Sequence, residues 1–197
     1  MNRRQLLRKS GIISVGAILT PTALALLQSC QGASRVDWQA QFLSQSDAEF
    51  LSELLDTILP ATDTPGALDV KVDMFLDKIW AQTLDSEAQA KIKKDLAALQ
   101  DEIKNKAGES FVLLASDKKT AVLQDLEKTS PKNPPGVWGS TVGNLEPAGF
   151  YRSLKTMAIG AYMSSEEVGL NVLNYDPVPQ DYKGCIPVSE VGNRWTL

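Results

Sequence analysis

Between Ser86 and Ile103 the chain spells out one face of an α-helix. Ile92, Leu96, Leu99 and Ile103 stand four, three and four residues apart, with lysine and aspartate between them. That spacing puts all four on a single stripe of a 3.6-residue helix. Ser86-Glu87-Ala88-Gln89 in front of them reads as a capping box, in which a serine hydroxyl accepts from the N–H three residues on and a Glu or Gln there reaches back. Gly108 ends the segment, as a residue free to turn left-handed commonly does. A helix with one apolar stripe needs other elements to cover it.

The rest of the chain supplies them. Ser46-Asp47-Ala48-Glu49 is a second capping box, and Phe50, Leu51, Leu54, Leu55 and Ile58 follow at helical spacing up to Pro60, predicting a helix over 46–59. Residues 60–68 (PATDTPGAL) read as a loop. A second helix opens near Asp69 and turns Val72, Phe75, Leu76, Ile79 and Trp80 inward. After a short apolar run from Phe111 to Leu114, Ser116 caps a helix to about Lys128 with Val122, Leu123 and Leu126 inward. Residues 131–143 (PKNPPGVWGSTVG) form a long proline- and glycine-rich loop, of a length usually tied to function or disorder, and Trp138 in its middle favours contact. Residues 147–163 read as a buried helix through Phe150, Tyr151, Leu154, Ala158 and Ala161, and Ser164-Ser165-Glu166-Glu167 caps a short one to about Leu173. No run alternates as a strand would. The expected fold is all-α: a compact bundle of five to six helices with long Pro/Gly-rich loops and an extended carboxy-terminal tail from residue 175.

The front of the chain is a targeting segment. Residues 1–10 (MNRRQLLRKS) are basic, and residues 11–27 are apolar or small, the layout of a signal peptide. Arg3-Arg4, followed by Gln5, Leu6, Leu7 and Lys9, fits the twin-arginine export pattern, a route that carries proteins already folded. The same apolar stretch is near the lower limit of a membrane span. Leu27-Gln28-Ser29-Cys30 resembles a lipobox instead; cleavage before Cys30 would leave that cysteine lipidated, and two or three acyl chains hold a membrane firmly. The expected organisation is a signal peptide over 1–29, a tether over 30–45 in which Trp38 and Phe42 are contact points, and a helical domain over 46–197. The protein is expected on the periplasmic side of a membrane, lipid-anchored.

Composition narrows the chemistry. The net charge is -4, and Arg3, Arg4, Arg8 and Lys9 lie in the targeting segment, so the remainder is more acidic still, which argues against nucleic acid as partner. There is no histidine, which removes the commonest general base and transition-metal ligand from any mechanism. Asp69, Asp73 and Asp77 share one helix stripe, which a solvated face explains better than a metal site. The sequence offers no cofactor site and no catalytic residue. With Cys30 lipidated, Cys185 is the one cysteine left; a buried thiol, an intermolecular disulfide and a bridge to Cys30 are all open to it. Trp80 and Tyr151 lie on apolar helix faces and read as core, whereas Trp138 and Trp195 lie in extended segments and read as interface anchors. The aromatic tail over 175–197 calls for a surface to lie on.

Taken together, the capped first helix running into Leu59-Pro60-Ala61-Thr62-Asp63-Thr64-Pro65-Gly66-Ala67, the segment 70–77, the late Gly149-Phe150-Tyr151 helix and the ending Tyr175-Asp176-Pro177-Val178-Pro179 with Tyr182, Gly184-Cys185-Ile186-Pro187 and Trp195 resemble the gluconate 2-dehydrogenase subunit 3 family. The resemblance implies a small helical, non-catalytic subunit of a periplasmic, membrane-associated dehydrogenase. Its partner would be a large subunit of the glucose-methanol-choline oxidoreductase type that holds FAD, often joined by a c-type cytochrome subunit. The small subunit would carry the export signal for both and assist maturation of the large one, with Trp138, Tyr182, Cys185 and Trp195 as contacts. A lipobox departs from many family members and leaves the need for a cytochrome open. The rival expectation is a free-standing helical lipoprotein that binds a small ligand between its helices.

Overall fold

The computed structural model describes residues 38–132, 136–137, 140–141, 148–175 and 184–195. These residues form α1 (Gln45–Ile58), α2 (Val72–Thr83), α3 (Ser86–Ala107), a 3-10 turn (Phe111–Leu113), α4 (Ser116–Thr129), α5 (Phe150–Met163), α6 (Glu166–Asn171) and α7 (Val188–Val191). All of them belong to the compact unit Trp38–Leu197. The all-α expectation holds, with a small addition: β1 (Gly136–Val137) and β2 (Ser140–Thr141) pair antiparallel, Gly136 opposite Thr141. Two residues per strand are too few for alternation to show in a sequence.

Helices α1 to α5 enclose the core. α1 packs on α2, α4 and the 3-10 turn; α5 packs on α2, α3 and α4 and carries α6 beyond its end. The buried stripes are largely the anticipated ones: Phe50, Leu51, Leu54 and Leu55 on α1, Leu96, Leu99 and Ile103 on α3, Leu123 and Leu126 on α4, and Tyr151, Leu154 and Ala158 on α5. Aromatic rings meet edge-on, Phe50 against Phe111 with centroids 5.8 Å apart and Phe42 against Trp80 at 6.0 Å, a favoured geometry for their quadrupoles. Among the described residues no helix is long and apolar enough to cross a membrane.

Three caps fall elsewhere than the sequence suggested. The first helix begins one residue early and its cap lies two residues early, at Ser44: the Ser44 hydroxyl accepts from the Asp47 N–H at 3.2 Å and donates to the Asp47 carboxylate at 2.6 Å. Asp85, not Ser86, caps α3, accepting from the Ala88 N–H at 2.8 Å. Ser116 is the first residue inside α4, behind Ala115. For α1 and α3 an Asp or Ser one or two positions upstream offers the same acceptor, and where the chain enters decides between them, whereas Ala115 makes no side-chain cap bond. Gly108 closes α3 in the left-handed conformation, φ 79°, with its N–H on the Lys104 carbonyl.

On α2 the inward face is also rotated from the expected one. Phe75 is 46% exposed and Ile79 half-buried, while Val72, Leu76 and Trp80 are buried together with Asp73 and Asp77. A solvated stripe of aspartates is therefore wrong for two of the three.

Candidate functional site

The loop from Leu59 to Lys71 is a built structure. The Ala67 N–H donates to the Leu59 carbonyl at 2.8 Å, which closes the loop at its neck, and the Val72 N–H donates back to Ala67 at 2.9 Å. Inside it, the Asp69 carboxylate accepts from the Gly66 N–H at 2.7 Å. A Cβ on Gly66 would lie 2.6 Å from the Ala61 nitrogen and 3.0 Å from the Pro60 carbonyl carbon, so the two arms of the loop touch through backbone and only glycine fits. From α5 the Tyr162 hydroxyl donates to the Pro65 carbonyl at 2.7 Å and fastens the loop to the body. Lys71, left-handed with φ 59°, turns the chain into α2. Residues 60–64 are left exposed at the surface.

Asp73 and Asp77 continue the same framework. Asp77, 1% exposed, accepts the backbone N–H groups of Gln41, Phe42 and Leu43 at 2.7, 3.1 and 2.8 Å. Three backbone donors satisfy a buried carboxylate without a counter-ion. Asp73 accepts from the Ser52 hydroxyl of α1 at 2.7 Å and from the Met74 N–H at 2.9 Å. The three aspartates thus pin three different pieces: loop, first helix and incoming chain. No cluster of three or more potential metal-ligating side chains occurs among the described residues.

A second polar assembly joins α4 to α5. Glu127 pairs with Arg152 at 2.5 Å and Lys155 at 2.9 Å, and Arg152 also donates to the Ser130 carbonyl at 3.1 Å and to the Glu127 carbonyl. The Lys155 hydrogen bond, helped by both positive charges, holds the Glu127 carboxyl below the usual carboxylate range. Burial, with the Glu127 charge added, pushes the Tyr151 phenol up to about 12, Arg152 opposing.

At the far end of α5 the chain returns on itself. Residues 184–195 come back against Asn174, and a groove of about 420 Å³ lies between the α5–α6 junction and this returning segment, with Met163, Leu170, Leu173, Tyr175, Arg194 and Trp195 among its walls. Trp195 is 51% and Tyr175 52% exposed there. The buried-thiol option for Cys185 is overturned: its residue is exposed and the thiol free, in a stretch of the tail, 184–190, whose residues are all exposed. Of the other expected site residues, Arg3, Arg4, Cys30, Trp138 and Tyr182 lie outside the described residues. Trp80 and Tyr151 are core, at 1% and 5% exposure. Phe42 is buried against Trp80.

The pattern that describes gluconate 2-dehydrogenase subunit 3 matches residues 45–180, well over half of the chain. The chain belongs to that family. Membership makes it a protein of the kind found as a subunit of a gluconate 2-dehydrogenase complex. No curated protein and no solved structure matches it significantly. The family match spans α1, the whole fastened loop and all three aspartates, and it stops short of Cys185 and Trp195. Sequence reasoning had reached the loop but missed Asp73, Asp77, Tyr162 and Asn174. For Asp77 a signal existed: it stands one residue after Leu76 and three before Trp80, and so flanks the buried stripe. For Tyr162 nothing local points to its partner, 97 residues away, nor for the Asn174 side chain to its partners, 17 and 19 residues away.

Proposed function

We propose that this protein is the non-catalytic small subunit of a membrane-associated dehydrogenase, which escorts an FAD-containing large subunit of the glucose-methanol-choline type through the twin-arginine route and helps it mature. The family match over residues 45–180 carries the reading; the Arg3-Arg4 leader and the absence of histidine support it. A small subunit with an address for folded cargo lends that address to its partner. The built loop over 59–71 and the returning tail offer two surfaces to a partner, with Trp195 and Cys185 exposed on the tail and Trp138 and Tyr182 as further contacts. Lipid on Cys30 then holds the complex to the membrane, and FAD resides in the large subunit. A c-type cytochrome is a third component to look for in the isolated complex.

Co-expression with the large subunit tests the escort role. Replacing Arg3 and Arg4 by lysine is expected to leave the flavoprotein in the cytoplasm, and periplasmic flavoprotein at the parental level in that variant would overturn the reading. Fatty-acid labelling of the parent and of Cys30→Ala tests the anchor, since an unlabelled parent removes it. The groove beside Trp195 is what a free-standing ligand-binding lipoprotein would use; recovery of the chain from mildly solubilised membranes with no flavoprotein attached would favour that second reading.

A further inference from the structure

The returning tail is attached in a way unlike anything in the helical body. Among the described residues Asn174 makes nearly all of the attachment: its side-chain amide donates to the carbonyls of Val191 and Asn193, its side-chain oxygen accepts from the Asn193 N–H at 3.3 Å, and its own N–H donates to the Arg194 carbonyl at 2.9 Å. Asn193 answers with one bond to the Val172 carbonyl at 2.7 Å. Gly192 makes this convergence possible. Its φ of 77° and ψ of -101° are open to glycine and avoided by other residues, and they turn two carbonyls toward one amide; a Cβ there would sit 3.4 Å from the Asn174 oxygen.

Apolar burial is partial in this attachment: Ile186 and Trp195 are 40% and 51% exposed, and neither is buried. No residue of α7 is buried, Val188 is 87% exposed, and every residue over 184–195 is exposed except half-buried Val191. Segments held by exposed hydrogen bonds with few buried apolar contacts open at low free energy while the core stays closed.

We propose that residues 184–195 are a detachable strap with Asn174 as its catch: the strap lifts as one piece from an intact helical body and takes the Arg194–Trp195 wall of the groove with it. This stands apart from the escort role, because the strap is tested in the chain alone. Amide hydrogen exchange followed by NMR on the full chain in detergent reads it. In the parent, the Asn174 and Asn193 amides are expected to exchange together and at least about a hundredfold faster than the Leu99 amide of α3. Asn174→Ala is expected to speed the amides at 174 and 193 by about tenfold and leave Leu99 unchanged. Gly192→Ala, whose Cβ would meet the Asn174 side chain and would strain the left-handed backbone there, is expected to act in the same direction. Amides at 174 and 193 as slow as Leu99 in the parent, or unmoved by both substitutions, would overturn the proposal. So would Leu99 accelerating in step with them.

Discussion

Asp77 shows how much one buried side chain can carry. Its carboxylate is the acceptor for three consecutive backbone N–H groups that have no helix or strand to pair with, and buried donors left unmet are costly. Asp77→Ala is expected to lower the unfolding free energy by about 2–4 kcal/mol, read as a fall in the urea midpoint, with Asp77→Asn losing less because one oxygen remains. Tyr151 gives a pH dependence in the alkaline range. Its folded-state value, near 12, lies above the ordinary 10, so the folded protein holds that proton more tightly. The stability it contributes is complete below pH 10 and is lost as pH rises toward 12, by up to about 2 kcal/mol. Tyr151→Phe is expected to flatten that alkaline fall in a series of denaturation curves from pH 9 to 12.

Helix ends and helix pairs decide how the bundle closes. The α2 carbonyls that lack helical partners are met by one side chain from the next helix: Gln89 donates to Trp80, Ala81 and Leu84 at 3.1, 3.2 and 3.3 Å, and so joins α2 to α3 across a two-residue turn. Gln89→Ala is expected to cost about 1 kcal/mol and to raise exchange mainly at the amides near the α2 end, which hydrogen exchange with mass detection would resolve. The sequence assigned Gln89 to a capping box on its own helix. It reaches backward instead, since Asp85 already caps α3. Lys119 links α4 to α1 through Glu53 at 2.6 Å, both side chains largely shielded, and covers the Phe111 ring at 5.6 Å. Element positions along the chain were legible because hydrophobic stripes repeat locally. The rotated face of α2 was not, because Phe75 and Asp77 exchange places only when a second segment brings backbone donors to the carboxylate.

At the scale of the whole molecule, a subunit's role is read in its exposed surface. Cys185 is exposed in the tail, so it is expected to alkylate readily in the isolated native chain and to resist alkylation in the complex with the large subunit. Intact mass before and after reduction separates a disulfide to the partner from simple shielding, and an equally reactive thiol in both states would remove Cys185 from the interface. The chain by itself determined the order and extent of its main helices, the all-α class and the family, because each of these is written in short-range periodicity or in adjacent residues. Only the tertiary structure decided which aspartates are buried, that Tyr162 fastens the loop 59–71, and that Asn174 catches the tail. These depend on hydrogen-bond partners tens of residues distant, and a polar side chain carries no mark of its partner until packing brings the two together and excludes water from between them.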